Sequence, residues 1–287
     1  MKEYNYYLKI ADISVRIQIP FEINIQHESI NFICDENKED IFIKFIEIDE
    51  GLDIEGELIN TDIMNIYQSK DKFIHEFYTA PGEKTYGWLI PITKSYYEIK
   101  YIKGFEKYIT YSKDILQAIN LEQILNKKDA FILHSSFINW QNNGILFSAP
   151  SGTGKSTQAD LWNRYENTEI INGDRAAVRK LENEWVAYGL PVAGSSGIYK
   201  NKKAQISHII VLRQGKENKL TRLSPRDAFI KIYSETTVHT WDAEFQSNIL
   251  NMISDLVQNV PVYLYECLPD ESAVEFLKEQ IIKDNTL

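Results

Sequence analysis

The sequence predicts a mixed α/β (α+β) fold, in which a β-rich N-terminal region, residues 1–110, precedes a second region, residues 111–287. In the first region apolar and polar residues alternate, as in Ile13-Ser-Val-Arg-Ile-Gln-Ile19, which is typical of strands with one buried face. In the second region, short apolar runs alternate with amphipathic segments such as residues 245–256, where apolar residues recur every three or four positions. One run, residues 145–149, leads through a glycine-rich turn into a segment without helix breakers, which predicts strand, loop and helix in succession.

Length, composition and charge restrict the class of protein. With 287 residues, 44% of them hydrophobic, the chain can bury a core as one large domain or two modest ones. The formal net charge of −10 disfavours a nucleic-acid partner, because phosphate backbones are bound by basic surfaces. Cys34 and Cys267 lie far apart without a C-x-x-C or a nearby histidine cluster, which predicts core thiols. The N-terminus lacks the apolar stretch of a signal peptide and no run is long enough to span a bilayer, so we expect a cytoplasmic protein without a membrane partner.

At the junction of the two regions the sequence predicts a helix and a strand hairpin. Ser112 or Asp114 is suited to cap the free N–H groups of a helix of two or three turns, which would end near residues 127–129. The run 130–139 predicts a strand, and the turn 141–144 joins it to the next strand.

Further elements follow downstream of this hairpin. A helix is predicted to begin with Ser224 as N-cap, Pro225 at the first helical position and Asp227 closing a capping box. Residues 189–197 are mostly small, which would let this loop lie close to a ligand. The other predicted elements are a hairpin at 176–188, a strand at 204–212, a helix that includes 245–256, a strand at 262–265 and a closing helix at 270–283.

A phosphate-binding loop is predicted from Ala149 to Ser156. The pattern G-x-x-x-x-G-K-[ST] is matched by Gly154, Lys155 and Ser156, with Ala149 in place of the first glycine. Glycines let backbone N–H groups close around phosphate oxygens, the lysine supplies charge, the hydroxyl can bind a metal, and the helix N-terminus favours an anion. The predicted nucleotide-binding residues are Ser151, Gly152, Thr153, Gly154, Lys155, Ser156 and Thr157. The alternative is an ordinary Gly/Ser turn that happens to precede Lys-Ser.

Asp174 is the predicted second metal-handling residue. It follows the short apolar run Glu169-Ile-Ile-Asn172, and a carboxylate at the end of a neighbouring strand can hold Mg²⁺ opposite the oxygen of Ser156. The alternative is an Asn-Gly-Asp reverse turn, which this composition suits regardless of metal. Arg175 and Arg213 could contact phosphate, although surface positions are the expected state for both. Structural roles are expected for His75, Glu76, His239 and Trp241.

Four motifs follow one another in a recognisable order: Leu133-His134-Ser-Ser, Ser151-Gly-Thr-Gly-Lys-Ser156, Gly173-Asp-Arg175 and Gly189-Leu-Pro191. This order resembles the catalytic domain of the HPr kinase/phosphorylase family, which is similar around the nucleotide to ATP-dependent phosphoenolpyruvate carboxykinase. His134 stands the same distance ahead of the loop lysine as the family's active-site histidine. The resemblance therefore implies that His134 lies near the transferred phosphoryl group, whereas the residues alone indicate an ordinary strand histidine.

The resemblance implies an HPr-kinase-like serine kinase with ATP and Mg²⁺ as cofactors and with His134, Lys155 and Asp174 as catalytic residues. The family has paired aspartates where this chain has Gly173-Asp174, so a glycine stands at the family's general-base position. The chain is also similar to divergent relatives, some of which phosphorylate precursor peptides of ribosomal natural products. The acceptor would then be a hydroxyl of a peptide or protein, which the β-rich N-terminal region would hold or orient.

Two alternatives stay open at this point. The loss of one aspartate favours a nucleotide-binding regulator without transferase activity, and a small-molecule kinase would use the same phosphate loop on a metabolite. The sequence also leaves open whether the chain forms a homo-oligomer and whether phosphorylase activity is retained.

Overall fold

The fold is taken from a computed structural model, which describes residues 2–35, 38–60, 65–70, 72–80, 83–192, 194 and 196–284. The backbone divides into two compact units, Met1–Ile124 and Leu125–Leu287. Each unit contains a large mixed sheet, and helices accompany both sheets. The fold is thus mixed α/β of the α+β kind, as the sequence predicts.

Eight strands of the first unit form one sheet. They are β1 (Tyr4–Ile10), β2 (Ile13–Ile19), β3 (Ile41–Ile48), β4 (Glu57–Asn60), β5 (Asn65–Ser69), β6 (Lys72–Tyr78), β7 (Thr85–Pro91) and β8 (Tyr96–Ile102). The order is β1-β2-β3-β8-β7-β6-β5-β4, in which β3 is parallel to β2 and β8. The predicted alternation accounts for the buried face, since Ile13, Val15, Ile17 and Ile19 are at most 1% exposed. Full burial of each such side chain contributes about 1.5–3 kcal/mol.

The helices of this part are short: α1 (His27–Ile30), a 3₁₀ turn (Glu106–Tyr108), α2 (Ser112–Ala118) and α3 (Leu121–Asn126). The prediction of one continuous helix here is wrong, because Asn120 adopts a left-handed conformation (φ 50°) between α2 and α3. The predicted capping is wrong as well. Tyr111 is the N-cap residue of α2, and the Ser112 hydroxyl instead accepts a hydrogen bond from the Gln26 N–H at 2.9 Å. The division between the units falls within α3, whereas the boundary predicted from the sequence lies at residue 110.

The second unit is built from eight strands and four longer helices within its described residues. The strands are β9 (Ala130–Trp140), β10 (Asn143–Ser148), β11 (Glu169–Asn172), β12 (Arg175–Leu181), β13 (Glu184–Gly189), β14 (Lys203–Gln214), β15 (Lys219–Arg222) and β16 (Val262–Cys267). The helices are α4 (Lys155–Glu166), α5 (Pro225–Ser234), α6 (Ala243–Asn259) and α7 (Glu271–Asp284). The sheet order is β10-β9-β12-β13-β14-β16-β15, and β10 also pairs with β14, so part of the sheet closes on itself.

Helices cover both faces of this sheet. One core cluster contains residues of α5 and α6 together with strand side chains from one face of the sheet. A second cluster contains residues of α4 and α7 together with strand side chains from the other face. Successive strand residues point to opposite faces, so the neighbours Ile209 and Ile210 belong to different clusters. The predicted apolar stripe of α6 is confirmed by the burial of Phe245, Ile249, Met252, Ile253 and Leu256. The predicted cap of α5 is confirmed too, because the Ser224 hydroxyl accepts from the Asp227 N–H. No helix in the described part of the chain is long and apolar enough to cross a bilayer.

The position of β9 determines which loops meet. The predicted hairpin turn is present, with left-handed backbone at Gln141 (φ 51°) and Asn142 (φ 66°). Both β10 and β11 pair with β9 in the antiparallel direction, so they run the same way on its two sides. The loop that follows β10 and the turn that follows β11 therefore emerge at one edge of the sheet, on either side of His134.

Candidate active site

The phosphate-loop candidate connects the end of β10 to the start of α4. Gly152 (φ 78°) and Gly154 (φ 123°) adopt backbone conformations that other L-residues rarely tolerate, which explains the glycines. Ala149 is fully buried, so the position where the pattern has its first glycine is a packed end of the strand. The N-cap Gly154 makes no side-chain cap, which leaves the first-turn amides of the twelve-residue helix α4 to face an anion.

Lys155 is held inside this loop. Its side chain is buried, and the ammonium donates hydrogen bonds to the carbonyl oxygens of Ala149 at 2.8 Å and Pro150 at 3.4 Å. Burial lowers the pKa of Lys155, and the carboxylates of Glu235 and Asp174 oppose that shift. The loop lysine is thus within electrostatic reach of two acidic side chains that lie outside the loop.

The other loop residues differ in exposure. Ser156 is half-buried, and its hydroxyl donates to the carbonyl oxygen of Gly173 at 3.4 Å. The hydroxyl of Ser136, a residue of β9, donates to the same oxygen at 2.9 Å. Thr153 is half-buried as well, whereas Ser151, Gly152 and Thr157 are exposed. The hydrogen bond from Ser156 to the Gly173 carbonyl therefore connects the first turn of α4 directly to the turn that contains Asp174.

Asn172 organises that turn and is not among the residues that the sequence predicts for the site. Its fully buried amide oxygen accepts from the N–H groups of Asp174 (2.9 Å) and Arg175 (3.0 Å). Its amide nitrogen donates to the carbonyl oxygens of Leu190 (3.1 Å) and Val192 (2.9 Å). One side chain thereby fixes the Asp174 turn and the beginning of the loop of small residues.

Two close approaches explain why that loop is rich in small residues. A Cβ atom added at Gly173 would lie 2.6 Å from the Ser196 Cβ and closer still to its hydroxyl. A Cβ atom added at Gly194 would lie 2.6 Å from the carboxyl carbon of Asp174. The described part of the loop at residues 189–197 therefore lies directly on the Gly173-Asp174 turn, and the space beside Gly173 is filled by Ser196.

His134 lies between two carboxylates. Its Nε2 atom is 3.5 Å from Asp174 Oδ1, and its Nδ1 atom is 3.1 Å from Glu235 Oε2. The side chain of Glu235 is only 12% exposed, against 30% for His134 and 28% for Asp174. The main chain strengthens the arrangement, since the His134 N–H donates to the Glu235 carbonyl and the Ser135 N–H donates to the Asp174 carbonyl. The structure thus brings the three predicted catalytic residues into one neighbourhood and adds Glu235.

Arg175 belongs to the edge of this site. Its Nε atom lies 3.4 Å from Asp174 Oδ2, and its side chain is 42% exposed. Arg213 lies near the end of β14, a strand parallel to β10, and forms an ion pair with Glu266 of β16. Arg175 is thus paired with a predicted catalytic residue, whereas Arg213 is paired with a glutamate of the neighbouring strand.

The remaining candidates have structural surroundings. His75 is buried in the first unit with its ring 3.3 Å from the Asn120 amide, and His239 stacks on Trp241 and Phe245. The carboxylate of Glu76 accepts hydrogen bonds from Asn65, Tyr67, Tyr78 and Thr85. Cys34 and Cys267 are both free thiols, and burial raises the pKa of Cys267 to about 11.

The donor atoms at the site fit Mg²⁺ bound together with a nucleotide. Among the described residues there is no group of three His, Cys, Asp or Glu side chains arranged to hold a metal by themselves. Mg²⁺ in nucleotide sites takes one or two carboxylates, with phosphate oxygens and water as its other ligands. The carboxylate of Asp174 and the hydroxyl of Ser156, on either side of Gly173, match that requirement.

Comparison with known proteins finds similarity among solved structures alone. No family model matches this chain. No curated protein matches its sequence. Among solved structures, the chain is similar to the HPr(Ser) kinase/phosphatase from Coxiella burnetii, with 12% identity, coverage of 54% of this chain and 94% of that chain, and a TM-score of 0.32.

Proposed function

We propose that this chain is an ATP-dependent kinase that transfers the γ-phosphoryl group of ATP to a hydroxyl of a peptide or protein. The observation that carries the proposal is the junction of the phosphate loop with the Asp174 turn. There, Ser156 donates to the Gly173 carbonyl, and Asp174 lies 3.5 Å from the His134 ring. Phosphoryl transfer to a hydroxyl requires phosphate ligands beside groups that bind metal and handle a proton, and the residues at this junction would serve both purposes.

Each residue has a role in this proposal. The loop amides of residues 151–157 and the Lys155 ammonium would bind the phosphates, with Lys155 exchanging its two carbonyl partners for phosphate oxygens. Asp174 and Ser156 would hold Mg²⁺, which would supply positive charge at the phosphates. His134 would assist with the phosphoryl oxygens or with the proton of the acceptor hydroxyl. Most of the acceleration would come from positioning and electrostatics.

The finer assignment is an HPr-kinase-like serine kinase with a P-loop core similar to that of phosphoenolpyruvate carboxykinase. The order of the motifs around His134, Lys155 and Asp174 supports this assignment. The precursor peptide of a ribosomal natural product is one acceptor of the proposed kind, and the β-rich first unit would hold it. The expected setting is the cytoplasm.

Replacing the loop lysine tests the proposal. Lys155→Ala should lower phosphoryl transfer by at least about 100-fold, because a charge aimed at the developing negative charge is lost. Lys283→Ala is the matched control, since Lys283 is exposed near the end of α7. The adjacent Asp284 lies 3.5 Å from His208, which pairs with Ile145 near the start of β10, at the opposite end of that strand from the loop. Transfer is measured by intact-mass analysis of candidate peptides incubated with ATP, and circular dichroism checks that both variants fold. Equal transfer by the wild type and Lys155→Ala would refute the kinase assignment.

A second candidate is a nucleotide-binding regulator without transferase activity. The observation in its favour is the Ser196 side chain, which fills the space that a side chain at position 173 would need. The two candidates differ in product, because the regulator binds ATP and leaves every acceptor mass unchanged. A small-molecule kinase would instead place the phosphate on a metabolite, which the same mass measurement detects in the small-molecule fraction.

A further inference from the structure

Glu235 contacts His134 through both its main chain and its side chain. Its carbonyl oxygen accepts from the His134 N–H at 2.9 Å, while its carboxylate lies 3.1 Å from His134 Nδ1. Two residues that are 101 positions apart are thus joined twice. A side chain fixed in this way restricts both the position and the rotation of the histidine ring.

The segment around Glu235 is itself immobilised. The Glu235 N–H donates to Ile232 at the end of α5, and the Thr236 hydroxyl donates to the same carbonyl at 2.8 Å. Thr236 forms an isolated bridge with Leu133, and the Thr237 N–H donates to the Ile132 carbonyl of β9. Consecutive main-chain contacts at Glu235, Thr236 and Thr237 therefore bind this segment to β9, and hydrogen bonds to Ile232 join it to the end of α5.

The geometry indicates which ring nitrogen carries the proton. A neutral imidazole has one N–H, which goes to the stronger acceptor. Glu235 is the nearer of the two carboxylates, at 3.1 Å against 3.5 Å for Asp174, and it is the less exposed one. The proton is therefore expected on Nδ1, which leaves the lone pair of Nε2 facing the side of the ring where Asp174 lies.

Because residue 173 is a glycine, the proton of the acceptor hydroxyl needs a base other than a side chain at that position. A second carboxylate is absent there, and Ser196 occupies the adjoining space. Resting on the kinase function proposed above, we infer that Glu235 is a positioning residue that fixes the tautomer and orientation of His134, so that Nε2 accepts the proton of the acceptor hydroxyl. As the hydroxyl oxygen bonds to the γ-phosphorus, the bond from that phosphorus to the bridging oxygen breaks and ADP leaves with the electron pair. The hydroxyl proton passes to His134 Nε2, and Glu235 stabilises the resulting imidazolium.

The first test is spectroscopic and uses the protein without nucleotide. The ¹⁵N shifts of the neutral His134 ring, identified among five histidines by comparison with His134→Gln, should report a protonated Nδ1 and an unprotonated Nε2. Glu235→Gln should shift the ring toward a mixture of tautomers, whereas Glu217→Gln, which changes an exposed carboxylate, should leave it unchanged. A wild-type ring that carries its proton on Nε2 would overturn the inference, whatever the activity of the protein.

The second test is kinetic. Glu235→Gln should lower kcat by about 100- to 1,000-fold, because a misoriented base slows transfer. Glu235→Asp should recover part of the loss. The double variant Glu235→Gln/His134→Gln should be no slower than His134→Gln alone, since the two residues act as a unit.

The outcomes separate this inference from the proposed function. The positioning role would be overturned if the two single-variant losses in kcat multiplied in the double variant, or if Glu235→Gln left kcat unchanged. In either case the kinase function would stand. A wild-type protein that binds ATP and transfers no phosphate would overturn the kinase function and the proton step together. Should Glu235→Gln fail to fold, Glu235→Asp and the wild-type ring spectrum still decide the matter.

Discussion

The contact between Gly173 and Ser196 gives a prediction about stability that is independent of any ligand. In Gly173→Ala, the new Cβ atom would lie 2.6 Å from the Ser196 Cβ, about 1 Å closer than ordinary carbon–carbon contact allows. The backbone at Gly173 is not left-handed, so the steric contact is the cost to be measured. Overpacking of this kind costs about 1–3 kcal/mol.

That cost corresponds to a fall in Tm of about 2–10 °C for a domain of this size, which scanning calorimetry resolves. Ser196→Gly should relieve the steric contact, because it removes the side chain that the new methyl group meets. As a single substitution, Ser196→Gly loses the hydrogen bond that the Ser196 hydroxyl accepts from the Ile198 N–H at 3.3 Å. The double variant Gly173→Ala/Ser196→Gly should therefore match Ser196→Gly in stability and recover the loss caused by the added methyl group. The control is Gly51→Ala, whose Cβ would meet Trp88 at an ordinary 3.5 Å.

Two results would refute this reasoning. Gly173→Ala could be as stable as the wild type, which would mean that the loop moves aside at no cost. Alternatively, the effects of the two substitutions could add, which would mean that Ser196 is not the obstructing residue.

Two further predictions concern the buried polar groups of the second unit. Asn172→Ala should lower the free energy of unfolding by about 2–5 kcal/mol, because four hydrogen bonds to the amide are lost, and urea unfolding measures it; a loss below about 1 kcal/mol would contradict this role. For His208, burial lowers the pKa from its ordinary value of 6.5, while Asp284 at 3.5 Å opposes the shift and Arg222 adds to it. The unfolded chain then takes up the proton first, so the stability that neutral His208 contributes is complete above pH 6.5 and is lost as the pH falls toward the folded pKa. Urea unfolding at pH 7 and pH 5 should show a smaller loss for His208→Gln than for the wild type, and equal losses would contradict the assignment.

Much of the second unit could be predicted from local sequence patterns, because each of the predicted features is determined by residues that are close together in the chain. The cap at Ser224 and the stripe on α6 are set by spacings within one helix, and the strand, loop and helix around Lys155 are continuous in sequence. The break at Asn120 was missed for a related reason. The apolar spacing continues across it from Ile119 to Ile124, so the pattern carries no sign of the left-handed residue between them.

The site residues that were missed depend on distant partners. Glu235 stands at the end of α5 and is identified only by the pairing of the following segment with β9, more than a hundred residues earlier. Ser196 is one of two adjacent serines in a loop of small residues, and its contact with Gly173 follows from the fold of that loop. Asn172 alone gave a usable local signal, because an Asn-Gly-Asp sequence is typical of a turn in which the Asn side chain accepts backbone hydrogen bonds.

The main-chain contacts between β9 and the segment after α5 have an energetic consequence for any reaction at this edge of the sheet. The His134 ring is held by a backbone that is hydrogen-bonded at Ile132, at His134 and at Ser135 before any ligand arrives. The surrounding groups then need little reorganisation when charge develops beside the ring, which is the condition for electrostatic preorganisation. Such a ring also responds to changes at a distance, since a substitution that tilts α5 must move Glu235 and, through it, the imidazole.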